Sequence, residues 1–137
     1  MKIRKDKDMD KERYAELFEM AKGMLEMSYA PFSDFHVGAA LLCEDGSVYT
    51  GCNIENSSLG ATICAERTAF VKAISEGHRK FEAIVLTSHQ GAVLPCGICR
   101  QFMQEFCSED FKIITGDDAE HLKTYTLGQI LPGGFNL

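Results

Sequence analysis

Residues 83–115 read AIVLTSHQGAVLPCGICRQFMQEFCSEDFKIIT, and this stretch decides the fold. Ala83 to Thr87 is a short apolar run with the character of a buried strand. Pro95 precedes a helical segment over Cys96–Phe106, and Phe111 to Thr115 is a second short strand. Strands that alternate with helices through the centre of a chain make the class α/β, with a partly parallel sheet.

The same alternation continues on both sides. Tyr14, Leu17, Phe18, Ala21, Met24 and Leu25 follow the 3.6-residue period of an amphipathic helix, with Asp10 as its expected cap and Pro31 beyond its end. Phe35 to Cys43 and Ser47 to Cys52 are apolar runs around Asp45-Gly46, a hairpin signal. A polar, small-residue stretch runs from Asn53 to Thr62. Cys64 to Glu76 then reads as a helix with Gly77 as its stop. Near the end, Thr126 and Gln129 are spaced for a capping box on a last short helix that stops near Pro132.

Composition narrows the function. At 137 residues the chain has the length of one domain with its own core. A net charge of -6 argues against a polynucleotide partner, whose binding needs a basic face. Met1 to Arg13 is dense in charge and lacks the apolar core of a secretory signal, so residues 1–12 are expected to form a charged, partly mobile leader. No stretch is long and apolar enough to span a membrane, and the cytoplasm is the expected location. There, six cysteines read as metal ligands or buried thiols before disulfides.

Two cysteine motifs carry the chemistry: Cys64-Ala65-Glu66 and Pro95-Cys96-Gly97-Ile98-Cys99. Each follows a strand and opens a helix. Helices that follow parallel strands start at one edge of the sheet, so two helix N-termini are expected to converge there. Their unpaired N–H groups favour thiolate over thiol. Cys96 and Cys99 are spaced to share a helix face, and Cys64 would arrive from the other helix. Three thiolates on Zn2+ leave a fourth position open, which separates a catalytic site from a closed structural one. They also leave a net negative charge, which Arg67 is placed to offset. Glu66 is two residues from Cys64, a spacing that suits a carboxylate beside the metal but not on it. The plain alternatives are a first-turn glutamate serving the helix dipole and a solvent-facing arginine. Cys96-Gly97-Ile98-Cys99 alone also fits a dithiol redox pair, or a structural zinc site completed by Cys107 or a distant His. Both leave Cys64 and Glu66 without a role.

Further ordered motifs are Ala30-Pro31-Phe32-Ser33-Asp34-Phe35, Val37-Gly38-Ala39-Ala40, Gly51-Cys52-Asn53-Ile54-Glu55-Asn56 and Leu131-Pro132-Gly133-Gly134-Phe135. With the two cysteine motifs, the chain from about Tyr29 to Phe135 resembles the cytidine deaminases of the small, homotetrameric type. The resemblance implies a three-layer α/β/α fold with a five-stranded mixed sheet. It implies zinc on Cys64, Cys96 and Cys99, and Glu66 as proton shuttle in hydrolytic deamination of cytidine and 2′-deoxycytidine within pyrimidine salvage. Asn53 and Glu55 would hold the ribose hydroxyls, Phe35 would pack on the base, and Ala65 would contact the substrate. Phe135 would reach into a neighbouring subunit's site, so that a homotetramer shares its active sites. The partner expected is therefore a small nucleoside, with no nucleic-acid polymer and no membrane. The metal-binding residues also suit another aminopyrimidine nucleoside, such as a blasticidin-type compound. Leu59 departs from the family, which commonly carries tyrosine there. Cys43, Cys52 and the four histidines read as ordinary core or surface residues, and Cys107 has no evident role.

Overall fold

The structure is a computed structural model that describes residues 10–137. Five strands, β1 (Val37–Cys43), β2 (Val48–Cys52), β3 (Phe81–Ser88), β4 (Lys112–Gly116) and β5 (Leu122–Thr126), form one sheet in the order β2-β1-β3-β4-β5. The helices are α1 (Asp10–Gly23), α2 (Ala65–Ser75), α3 (Gly97–Phe106) and α4 (Leu127–Ile130). The β3–β4 pair is parallel and the other pairs are antiparallel, so the sheet is mixed as expected.

The period-two alternation of β1 builds three layers. Val37, Ala39, Leu41 and Cys43 face α2 and α3, where they meet Ala69, Phe70 and Met103. Ala40 and Leu42 face the other way and receive Leu17, Phe18 and Ala21 of α1. Burial of a Leu or Phe side chain stabilises by about 1.5–3 kcal/mol, so each face is held by several such contacts. The Asp45-Gly46 hairpin is in place: Gly46 has φ 92, and Asp45 Oδ1 accepts from the Ser47 amide at 2.9 Å.

The topology places the site. β2 and β3 are both antiparallel to β1, so they run in the same direction. The helices that follow them, α2 and α3, therefore start at the same edge of the sheet. Gly51 brings α2 in close: a Cβ there would overlap the Ala65 carbonyl oxygen and stand 2.6 Å from the Ala69 nitrogen. The first turn of α2 thus lies directly on β2. At its other end α2 closes as expected, with Gly77 at φ 98 and the His78 amide donating to the Ala73 carbonyl at 3.1 Å.

Several expectations need correction. Asp10 is itself helical, the first described residue of α1, and pairs with Arg13 at 3.3 Å. Asp10, Lys11 and Glu12 are helical, and the rest of the expected leader lies outside the described residues. Met24 and Leu25 leave the α-helical period for a tight 3-10 turn over Met24–Met27. β5 gave no sequence signal because it is an edge strand, LKTYT, whose side chains are half-buried or exposed. The capping box on α4 is present, with the Gln129 amide donating to Thr126 Oγ1 and the Thr126 amide donating to Gln129 Oε1. Among the described residues, no helix is long and apolar enough to cross a membrane.

Candidate active site

Cys64 is the N-cap of α2 and Cys96 the N-cap of α3, both with extended backbone. The helices thus begin one residue later than the sequence suggested. Neither sulfur accepts a capping hydrogen bond from its own helix. A Ser, Thr, Asp or Asn would cap better by about 1 kcal/mol. That forgone stability leaves both sulfurs free to act as ligands. Cys99, in the first turn of α3, is fully buried. The three sulfurs lie within 4.8 Å of one another, and Cys64 Sγ is 3.8 Å from Cys96 Sγ. Sulfurs held tetrahedrally at about 2.3 Å from zinc stand roughly 3.8 Å apart, so this spacing fits the metal. Among the described residues no fourth Cys, His, Asp or Glu joins the group within that span.

The electrostatics favour one thiolate, at Cys64. The hydrogen bond from Cys99 acts most strongly on Cys64; with help from Arg67 and Cys96 it outweighs burial and holds Cys64 down to about 5. The same contact, together with burial, pushes Cys99 up. Arg67 Nη2 donates to Cys64 Sγ at 3.5 Å, while its buried Nε has no hydrogen-bond partner. Arg67 is therefore turned towards the sulfurs rather than to solvent. The two helix N-termini add partial positive charge of about half an elementary unit each. A cluster that already stabilises one thiolate, beside a fixed cation, has the donor set that Zn2+ requires.

Glu66 is 3 % exposed. Burial, reinforced by the negative Cys64, pushes its carboxyl up to about 7, against its own backbone amide, Cys99 and Arg67. Such a group can take and return a proton near neutral pH. It lines a cleft of about 320 Å³ together with Cys64 and Cys96.

Phe35, Asn53, Glu55 and Ala65 line the same cleft, so the structure brings most of the expected substrate contacts together. Phe35 is half-buried, and its ring meets His89 edge-on at 5.6 Å. Glu55 Oε1 accepts from the Phe32 and Ser33 amides at 2.8 and 3.2 Å. The Ser33 hydroxyl donates to Glu55 Oε2 and, with those amides, holds the carboxyl below its ordinary range. Phe135 is the exception: its ring is 63 % exposed and does not line the cleft of its own chain. Gln101 fixes this tail by donating from Nε2 to the Phe135 carbonyl at 2.7 Å. Leu59 is exposed in a short 3-10 turn.

Sequence reasoning missed the residues that support the site. Arg100 donates from Nε to the Pro95 carbonyl at 2.7 Å and from Nη1 to the Ile130 carbonyl at 2.7 Å, tying the entry of α3 to α4. Val93 and Leu94 complete the cleft wall from the loop after β3. The position of Arg100 directly after Cys99 was the available signal; the loop residues had none.

Residues 11–115 match the family described as the cytidine and deoxycytidylate deaminase zinc-binding region. A cytidine deaminase of Sporosarcina psychrophila is 46% identical over 88% of this chain and 89% of its own. A blasticidin-S deaminase of Bacillus cereus is 32% identical over 72% of this chain and 76% of its own. The crystal structure of cytidine deaminase from Burkholderia pseudomallei superposes with a TM-score of 0.81 at 41% identity, covering 88% of this chain and 97% of that one. With its sulfur cluster, mixed sheet and converging helix starts, this chain belongs to the cytidine and deoxycytidylate deaminase family.

Proposed function

We propose that the protein is a zinc-dependent hydrolase that deaminates cytidine and 2′-deoxycytidine to the corresponding uridines and ammonia. The observation that carries this is the buried Glu66 carboxyl lining one cleft with the three-sulfur cluster, next to Phe35, Asn53 and Glu55. Cys64, Cys96 and Cys99 would hold the zinc, which supplies a water made acidic near neutral pH. Glu66 accepts the proton of the attacking water and delivers it to ring N3 of cytosine, which makes C4 more electrophilic. After oxygen joins C4, Glu66 carries the remaining hydroxyl proton to the amino group. The C4–N bond breaks and ammonia leaves. Arg67 offsets the charge of the thiolates throughout. Phe35 packs on the base, Ala65 lies beside it at the start of α2, and Asn53 and Glu55 take the sugar hydroxyls. The Glu55 carboxylate disfavours a nearby 5′-phosphate, so nucleosides are preferred over nucleotides.

The working form is a homotetramer in which Phe135 of one copy enters the cleft of another. Its exposed ring and the pinned tail support this reading. So does an apolar groove between α2 and α3, lined by Ile63, Val71, Ile98, Phe102 and Phe106. Pyrimidine salvage in the cytoplasm is the role that follows.

One ultraviolet assay with cytidine, 2′-deoxycytidine, cytidine monophosphate and a blasticidin-type nucleoside tests the reading, run beside zinc analysis. Turnover of both cytidine nucleosides, little of the nucleotide, and about one zinc per chain are expected. A metal-free protein with a reversible Cys96–Cys99 disulfide would instead make it a redox protein. Turnover of the blasticidin-type compound alone would move the substrate.

A further inference from the structure

The Asn53 amide is oriented by two backbone groups and buttressed by a chain of hydrogen bonds that starts outside the cleft. Asn53 Nδ2 donates to the Phe35 carbonyl at 2.7 Å, and Asn53 Oδ1 accepts from the Val37 amide at 2.9 Å. Backbone groups have fixed polarity, so these two bonds decide which end of the amide is oxygen. Asn53 Oδ1 also accepts from the Ser28 hydroxyl. Ser28 has then spent its only proton, so the contact of 2.9 Å between Ser28 Oγ and His36 Nδ1 requires Nδ1 to be the donor. His36 makes two further contacts. Its Nε2 is 3.2 Å from Asp34 Oδ1, and its amide donates to His89 Nδ1 at 3.2 Å. The His89 ring packs edge-on against His36 at 5.5 Å and against Phe35 at 5.6 Å.

The consequence is a sugar subsite of fixed polarity. Both lone pairs of Asn53 Oδ1 are taken by Ser28 and Val37, so the side chain has one N–H left and can only donate. Glu55 is a carboxylate with three acceptor places filled by Phe32 and Ser33, so it can only accept. A sugar hydroxyl that accepts from Asn53 and another hydroxyl proton given to Glu55 match this pair. If the Asn53 amide turned over, Oδ1 would face the Phe35 carbonyl and the donor would be lost.

We propose that Ser28 and His36 are positioning residues for sugar recognition: they hold the Asn53 amide in place, in the orientation that the Phe35 carbonyl and the Val37 amide select and that donates to the sugar. This rests on the reading of Asn53 and Glu55 as the sugar-binding pair. Ser28 lies before the first family motif and His36 between two of them, and neither lines the cleft.

The test compares kcat/KM for cytidine and for 2′,3′-dideoxycytidine, which lacks both hydroxyls. Ser28→Ala and His36→Leu are expected to lower kcat/KM for cytidine by roughly three- to tenfold through KM, the size of one neutral hydrogen bond, with kcat nearly unchanged. The same variants leave the dideoxy substrate unaffected. Ser28→Thr, which keeps the hydroxyl, and His36→Asn, which keeps a donor near the place of Nδ1, restore cytidine. A purely structural role would lower both substrates equally, and that result overturns the proposal. Asn53→Ala serves as the control. If it discriminates between the two substrates while Ser28→Ala does not, the positioning role fails and the sugar subsite stands. If Asn53→Ala does not discriminate either, the sugar subsite itself fails and the proposal falls with it.

Discussion

The two ends of α2 each carry a trio of potential metal ligands, and only one has surroundings suited to zinc. At the N-terminal end stand Cys64, Cys96 and Cys99; beyond the C-terminal end stand Cys43, Asp45 and His78, with ligand atoms equally within 4.8 Å of one another. Proximity does not separate them; the donor set and the fixed charges beside it do. Cys64 is held down to about 5 by Cys99, Arg67 and Cys96, beside two helix starts. Cys43 is pushed up to about 11 by burial and by the negative Asp45. Its thiol keeps its proton, at the end of a helix where backbone carbonyls add negative character. His78 Nδ1 lies 3.8 Å from Asp45 Oδ2, an ordinary ion-pair distance. Three sulfurs beside a fixed cation and two helix starts, with one thiolate already favoured, make the N-terminal trio the candidate zinc site.

Substitutions at the two ends should therefore behave differently. Cys99→Ser removes a buried ligand from the N-terminal trio. The zinc-to-protein ratio should fall to background, and turnover with it; retained zinc with normal turnover would place the metal elsewhere. Arg67→Gln keeps all three sulfurs but removes their cation. Zinc affinity, measured by competition with a chelator, or turnover should fall by roughly 10–100-fold, the usual effect of a group that supports metal ligands. An unchanged affinity and rate would mean that the helix N-termini suffice. His78→Ala, at the other end, should leave zinc content unchanged and turnover within about twofold, as for surface changes away from a site. Loss of a zinc equivalent in that variant would reverse the comparison.

Legibility from sequence followed the range of the interaction. The starts of α2 and α3 were readable because Cys64-Ala65-Glu66 and Cys96-Gly97-Ile98-Cys99 are local patterns at strand-to-helix junctions. Their meeting was also readable, since strands that run in one direction place their following helices at one edge. What could not be read was the side-chain partnership across the fold. Ser28 lies 25 residues from the Asn53 side chain it donates to, and nothing in either residue names the other. His36 and His89 read as ordinary for the same reason, although His89 packs on Phe35 and His36 packs on His89. β5 was hidden because an edge strand with Lys123 and Thr124 needs no apolar alternation. Cys107, once a possible fourth ligand, lies outside the sulfur cluster. Burial pushes its thiol up to about 12, and it packs at the border of the core.

The central claim is that Glu66 moves the protons while the sulfurs hold the metal. Glu66→Gln preserves shape and hydrogen bonding but cannot carry a proton. Steady-state cytidine turnover, measured on protein whose zinc content has been checked, should fall by roughly 10²–10⁴ with zinc retained, the range for loss of a general acid–base group. Near-normal turnover by the zinc-loaded variant would contradict the account.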